Sequence, residues 1–582
     1  MLMPQSTASH EFRRYMIELS RRQLLGSLAA FGSAALLPRV AWATGRFEAG
    51  LFAPTIALMD QFVPRHLAEF AVPGLTLGLA DREGNIATAA YGLSDIKLKT
   101  PVTREHLFQI GSISKSFVAL VLLALREEGK LDLHRPILEY LPWLRIRSSF
   151  APITAHHLLT HTSGLPNAGL AVPRADGDDL VPTYAPGKRF YYSNLGYVIL
   201  GHLIEVLDRR DYIESTRLRI FKPLGMNDSF AMIGNASRER MVGSYRAMYD
   251  DRPHPRNGAL REATFLNLDH PSGSILSSPA DMALYITMLL RHGQGIISEA
   301  SFALFCKPHV VQSPDVPAVG YGYGVFVDLA FGRTILRHTG GMQSFGSAML
   351  LDMEGGVGAF ASGNHSISGY RPNAVSKLAM QSMLAASQGL PAPTAPAPID
   401  IFAVVNAVDY VGIYREPGGT RSLEIVTEGS RLFVLHKSTR VPLQVAADRD
   451  FLALHPDFSM FPFEFGRTGN AKSPVAELGY GPLWLVRDGV SLPSVTLPAG
   501  WRSYLGEYRG TRVWEVHHRV YERNGKLYLG GEQLRNVGPA TFTFGEMPDS
   551  PERVFFTDLA NGKAWRFRSA GQDYFRVRSD RA

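Results

Sequence analysis

The sequence predicts an α+β body followed by two small β-barrels, and three observations lead there. A proline- and alanine-rich stretch, Gln388 to Pro398 (QGLPAPTAPAP), separates two regions of different character. Before it, helix-like and strand-like apolar runs mix along about 340 residues, enough for one large core. After it come short strands rich in Tyr, Phe, Val and Trp, and they repeat. Tyr410-Val411-Gly412-Ile413-Tyr414 returns 94 residues later as Tyr504-Leu505-Gly506-Glu507-Tyr508. Each copy leads through a glycine turn into an apolar strand, Gly429-Ser430-Arg431-Leu432-Phe433 and Gly525-Lys526-Leu527-Tyr528. Two anchors kept in register predict duplicated barrels whose aromatics form the cores.

At the N-terminus, Ser20-Arg21-Arg22-Gln23-Leu24-Leu25 opens an apolar run to Leu37, with Ala41-Trp42-Ala43 beyond it. A basic region, a short apolar stretch and small residues at a cleavage position are the parts of an export signal. The paired arginines resemble a twin-arginine signal, and the run is too short for an ordinary membrane-spanning helix. The lone cysteine, Cys306, lies far from that position, which argues against a lipid anchor there. The expected division is therefore a signal at 1–43, a catalytic body at 44–387, a linker at 388–399 and barrels at 400–498 and 499–582. The expected location is periplasmic or secreted, with no transmembrane anchor once the signal is removed.

The chain of 582 residues carries a formal charge of +7, which invites a nucleic-acid reading. The distribution argues against it. The signal is basic, and residues 499–582 hold 14 basic and 10 acidic side chains, while the body between is balanced. A balanced body with dispersed signs offers no stripe to follow phosphates. One cysteine excludes an intrachain disulfide framework and a cysteine-based zinc cluster.

Within the body, Ser116 to Leu125 reads as a buried helix stopped by Arg126-Glu127-Glu128-Gly129. Leu75 to Ala80 and Val357 to Ser362 read as short apolar strands. No G-x-S-x-G nucleophile elbow occurs, and no H-E-x-x-H surrounds His156, His157 and His161, so those histidines read as structural and no metal or other cofactor is expected. Ser112 and Lys115, three apart at the start of the buried helix, share a face. A serine hydroxyl needs a neighbouring base or cation to become a nucleophile, and a helix N-terminus favours a developing anion. Tyr192-Ser193-Asn194 follows 80 residues after Ser112, and His338-Thr339-Gly340-Gly341 a further 146 residues after Tyr192.

These three motifs in this order resemble the serine β-lactamase and penicillin-binding-protein superfamily. The nearest branch holds class C β-lactamases, D-Ala-D-Ala carboxypeptidases and D-aminopeptidases. Leu158-Leu-Thr-His-Thr-Ser-Gly-Leu165, Gly129-Lys-Leu-Asp-Leu133 and Ser272-Gly-Ser-Ile-Leu-Ser-Ser-Pro-Ala-Asp281 share the likeness, which covers roughly 50–385. It implies a β-lactamase/transpeptidase-like catalytic domain, an antiparallel sheet with a helical region. It implies that Ser112 attacks a carbonyl to form an acyl-enzyme and that Lys115 eases ionisation of its neighbours. Tyr192 is then the general base, its pKa falling from about 10 through nearby positive charge. Asn194 holds Lys115 and the substrate amide, and His338, Thr339 and Gly340 line the substrate side. The backbone N–H groups of Ser112 and Gly341 form the oxyanion hole.

β-Lactamases of the family usually carry lysine where this chain has His338, and a neutral imidazole is a weaker anchor for a carboxylate. D-amino-acid peptides, peptidoglycan among them, simple esters and slow β-lactam turnover all stay open as substrates. So does a penicillin- or peptidoglycan-binding protein with little turnover. The resemblance to D-aminopeptidases further implies that a barrel loop gates the site, with the loop-rich segment Gly466 to Pro482 the candidate, and a purely structural stabilising role for the barrels stays equally open.

Overall fold

The computed structural model describes residues 51–167, 180–330, 332–447, 450–469, 473–511, 517–545, 547–569 and 571–578. The export signal expected at 1–43 lies outside the described residues. The body is built on a nine-stranded antiparallel sheet. Its spatial order is Thr100–Pro101, Ile86–Asp95, Gly74–Asp81, Val357–Gly363, Gly346–Asp352, Arg333–Gly341, Phe326–Ala330, Val319–Tyr321 and Val310–Val311.

Three central strands, Gly74–Asp81, Gly346–Asp352 and Val357–Gly363, are buried at every position. Both faces of the sheet are covered, which is why these segments read as continuous apolar runs instead of alternating ones. On one face Leu75, Leu77 and Leu79 pack against Met59 and Val63 of the Ala53–Phe70 helix and Leu378 and Met383 of the Asn373–Ser387 helix. On the other, Met349, Leu351 and Phe360 share a core with Met282 and Ile286 of the Pro279–Leu290 helix and with the helical region.

That helical region is centred on Ser114–Glu127, the apolar run expected as a helix. Its residues from Ser114 to Leu123 are all buried, and it stops where the Lys130 N–H returns to the Leu125 carbonyl. Truncating one of its fully buried leucines, such as Leu120, would cost about 2–5 kcal/mol. The helix is therefore a rigid support for whatever its first turn presents.

Beyond residue 390 the chain runs without helix or strand to 400 and then forms two closed eight-stranded antiparallel barrels. Their strands run from Gly412 to Arg487 and from Gly506 to Arg576. The repeat seen in the sequence is a repeat of contacts. The Tyr414 hydroxyl donates to the Tyr410 carbonyl at 2.8 Å, and the Tyr508 hydroxyl to the Tyr504 carbonyl at 2.9 Å. Tyr414, Phe451 and Phe465 fill the first barrel, and Tyr508, Phe542 and Phe567 the second. Closure leaves no free sheet edge to pair with another chain.

Part of the segment expected to reach the site lies in strands of the first barrel. Phe463–Arg467 and Val475–Tyr480 pair with each other as strands of the first barrel, so their backbone is committed to that ladder; residues 470–472 lie outside the described set. Both barrels touch the body, the first where the Arg256 N–H donates to Gln444 and the second through Arg519 on Asp251 and through Asp549. Asp549 pairs with Arg189 at 2.9 Å and Lys188 at 3.3 Å, and the Thr183 hydroxyl donates to the Asp549 carbonyl at 2.7 Å.

Candidate active site

Ser112 sits in a short 3-10 turn, Gly111–Ile113, that feeds directly into the buried helix. Two backbone straps hold the turn. The Ile110 N–H donates to the Ile275 carbonyl at 3.0 Å, and the Ile275 N–H donates to Ser114 Oγ at 3.2 Å. Ser112 remains partly exposed while Lys115, one turn on, is 0% exposed. Lys115 Nζ lies 3.0 Å from Ser112 Oγ, 2.7 Å from Asn194 Oδ1 and 2.7 Å from the Ser272 carbonyl oxygen.

The Tyr192–Asn194 motif closes one side. Asn194 is the first residue of the Asn194–Asp208 helix, which Ser193 caps by accepting from the Gly196 N–H at 3.1 Å. Asn194 is itself held by Asn167, whose Oδ1 accepts from the Asn194 N–H at 3.0 Å and from Nδ2 at 2.9 Å. The buried His161 ring lies 4.3 Å from that of Tyr192, and its Nδ1 accepts from the Ser193 N–H at 3.0 Å. Lys115 Nζ lies 4.9 Å from the centre of the Tyr192 ring. On the opposite side, the strand Arg333–Gly341 brings Gly340 and Gly341 against the Ile110–Gly111 backbone.

Burial sets the electrostatics. It pushes the Lys115 ammonium well below the ordinary lysine range. The three partners suit both forms of the amine: an ammonium donates to all three, and a neutral amine donates to two and accepts from the Ser112 hydroxyl. Asn194 Oδ1 and the Ser272 carbonyl can only accept, whereas the Ser112 hydroxyl can donate. Tyr192 behaves oppositely to the expected fall: loss of solvent around its hydroxyl raises its pKa, more than its neighbours Ser112 and Arg371 lower it. Counting nearby charges from sequence cannot see that desolvation. His338 is pushed down to about 3, chiefly by burial. It lies 3.2 Å from the Tyr321 hydroxyl and 2.7 Å from the Thr339 carbonyl, 1% exposed and neutral.

The structure thus gathers Ser112, Lys115 and Asn194 into one bonded cluster with the Tyr192 ring against Lys115, and His338 to Gly341 form the facing strand. Thr339 is partly exposed on that strand, and His338 is buried beneath it. Three contributors were not singled out by sequence. Ser272 acts through its carbonyl, which no side-chain pattern reveals, although its neighbourhood carried the family likeness. Asn167 lies 27 residues from Asn194 with no motif around it. Arg371 stands over Gly341, where a Cβ added to the glycine would lie 1.8 Å from its guanidinium. The histidines read as structural are so placed: His156 Nδ1 lies 2.9 Å from the Tyr323 hydroxyl, and His157 Nδ1 accepts from the Thr154 N–H at 3.2 Å.

A nucleophilic serine on a helix start, a buried amine against it and a glycine strand opposite are the parts of a serine hydrolase with the β-lactamase/transpeptidase architecture. Residues 59–374 match the Beta-lactamase family model, more than half of the chain, and the chain belongs to that family. It is 26% identical to penicillin-binding protein 4* of Bacillus subtilis (strain 168) over 59% of this chain and 80% of that one. It is 29% identical to esterase EstB of Burkholderia gladioli over 46% of this chain and 78% of the esterase. The solved octameric penicillin-binding protein homologue from Pyrococcus abyssi aligns with a TM-score of 0.51 and 25% identity, covering 74% of this chain and 100% of that one.

Proposed function

We propose that the protein is an exported hydrolase that cleaves amide or ester bonds through an acyl-Ser112 intermediate, with D-amino-acid-containing peptides as its first substrate class. The observation that carries this reading is the coordination of Lys115: two obligate acceptors and the Ser112 hydroxyl. In its neutral form Lys115, 3.0 Å from Ser112 Oγ, turns its lone pair to the hydroxyl and takes the proton as Oγ attacks the substrate carbonyl carbon. The N–H groups of Ser112 and Gly341 receive the oxyanion, which such donors stabilise by several kcal/mol, roughly 3–4 for one of them. Tyr192, kept protonated, gives its proton to the leaving amine or alkoxide and recovers one from the Lys115 ammonium. Water then hydrolyses the ester to Ser112 and frees the acid. Asn194 fixes the amine, and Thr339 and Gly340 line the substrate channel.

Export rests on the N-terminal pattern, and among the described residues no helix is long and apolar enough to cross a membrane. The division into body, linker and two barrels at the positions read from sequence belongs to the same proposal. The named relatives support both bond types, one as a penicillin-binding protein and one as an esterase.

The test is a turnover panel of D-Ala amide, a D-Ala-D-Ala peptide, a chromogenic cephalosporin and p-nitrophenyl acetate. Ser112→Ala is expected to abolish every activity the parent shows; hydrolysis persisting in it would sink the mechanism. A long-lived penicillin adduct by mass spectrometry, with no product released from any substrate, would replace the hydrolase with a penicillin-recognising binder.

Arg371 supplies a sharper prediction about substrate class. With His338 buried and neutral, the guanidinium over Gly341 is the cation placed to meet a substrate carboxylate. Arg371→Ala is expected to raise KM about tenfold or more for the carboxylate-bearing cephalosporin and peptide, yet leave p-nitrophenyl acetate within about twofold, on the scale of one charged hydrogen bond. Equal losses on charged and neutral substrates would show that Arg371 supports the fold instead of selecting the ligand.

A further inference from the structure

Besides Arg519 on Asp251, the second barrel meets the body through two acidic residues that bond in chemically different ways. Asp549 is partly exposed and docks by ion pairs to Lys188 and Arg189. Glu552, three residues on, is only 6% exposed and makes a different bond: its Oε1 accepts from the backbone N–H of Asn167 at 2.6 Å. Its other carboxyl oxygen, Oε2, is buried without a hydrogen-bond partner among the described residues.

Asn167 is the residue that holds Asn194. From the barrel inward, the bonds run from Glu552 to the Asn167 backbone, from the Asn167 side chain to Asn194, and from Asn194 to Lys115 at 2.7 Å. The preceding residue, Pro166, has no N–H, so the Asn167 N–H is the nearest main-chain donor by which this segment can be anchored. A carboxyl is a costly group to bury for docking alone, and the surface ion pairs of Asp549 already serve docking. Burial holds the Glu552 carboxyl up to about 7, and a carboxyl or an amide can accept from Asn167 equally well.

We propose that Glu552, delivered by the second barrel, is a positioning residue for the acyl-transfer site: it fixes the Asn167 backbone so that Asn167 aligns Asn194 on Lys115. This rests on the acyl-Ser112 reading. The second barrel thereby completes the site without touching substrate. Small displacements of a catalytic group suffice to slow chemistry by up to about a hundredfold.

The test is a double-mutant cycle in the full chain, read by the burst-phase acylation rate and KM with p-nitrophenyl acetate, a substrate too small to need the barrel. Glu552→Ala is expected to slow acylation at least about tenfold with KM within about twofold, since a positioning loss acts on the chemical step. Glu552→Gln should stay within about threefold of the parent because it keeps the acceptor. Asp549→Ala, which removes docking ion pairs alone, should also stay within about threefold. Asn167→Ala should match Glu552→Ala, and the double variant should be no slower than either, because the two act through one path.

Acylation by Glu552→Ala within threefold of the parent, equal losses in Asp549→Ala and Glu552→Ala, or multiplying losses in the double variant would each overturn the proposal. Should Glu552→Ala fail to fold, a tenfold loss in Glu552→Gln or less than a threefold loss in Asn167→Ala would overturn it as well. Ser112→Ala run alongside separates the two levels. An inactive Ser112→Ala with an unaffected Glu552→Ala removes the positioning role alone; an active Ser112→Ala removes the acyl-serine reading and the positioning role with it.

Discussion

Lys115→Ala is expected to lower the acylation rate by about 10²–10⁴-fold, the span a positioned general base commonly supplies. The buried amine touches the nucleophile, the helix-borne Asn194 and the Ser272 carbonyl at once, so no other side chain can take its place. Lys115→Arg is expected to fail equally. A guanidinium stays charged at any working pH and has no lone pair with which to accept the Ser112 proton. The variants also leave the Ser272 carbonyl without its partner, which costs about 1–3 kcal/mol of stability, so unfolding by urea must be followed beside the kinetics.

The pH dependence carries a definite sign. Proton acceptance requires the neutral amine, so kcat/KM rises as pH climbs through the Lys115 ionisation, and burial places that midpoint well below the ordinary value of 10.5. Stopped-flow acylation with p-nitrophenyl acetate across pH 5–10 checks it. A parent profile that rises only near the ordinary lysine value, or a Lys115→Arg variant with near-parental rates, would mean that Tyr192 takes the proton after all.

Much of this site was legible because its determinants are local. Ser112 and Lys115 share a helical face at three residues' spacing, and an apolar run from Phe117 to Leu125 announces the buried helix that holds them. The barrels were legible because the same tyrosine pair recurs, and the structure gives both copies the same hydroxyl-to-carbonyl bond. What escaped was tertiary. Glu552 meets Asn167 across 385 residues, and nothing in the sequence around either marks the contact. Ser272 contributes a main-chain oxygen, invisible to any reading of side chains. The direction of the Tyr192 shift escaped for a further reason: nearby charges can be counted in a motif, but loss of solvent is a property of the packed site. Composition marks Gly466 to Pro482 as loop-rich, and it does not show that Gly466–Arg467 and Val475–Tyr480 within it are barrel strands.

Gly340→Ala is expected to be the most damaging substitution outside the bonded cluster. A Cβ on Gly340 would lie 1.9 Å from the Ile110 carbonyl oxygen and 2.7 Å from its carbon, backbone that no rotamer change can move aside. Gly111 faces the same contact from the other side, with a Cβ 2.7 Å from the Gly341 nitrogen. The nucleophile turn and the strand Arg333–Gly341 thus meet backbone to backbone, and that contact sets where the Ser112 and Gly341 N–H groups converge. One methyl group forces them apart. The strand is pinned from its far side, His338 opposite Met349 and Gly341 opposite Gly346, so the displacement cannot be shared along the sheet. Overpacking of this kind costs about 1–3 kcal/mol in stability. The larger loss is catalytic, about 10²–10³-fold in kcat, as expected when one oxyanion donor leaves its place. Thr334→Ala, partly exposed at the far end of the same strand, serves as the comparison and should keep the fold and the acylation rate. Urea unfolding gives the first quantity and burst kinetics the second. A Gly340→Ala protein that unfolds earlier but acylates at the parental rate would show that the backbone contact holds the sheet together without shaping the oxyanion hole.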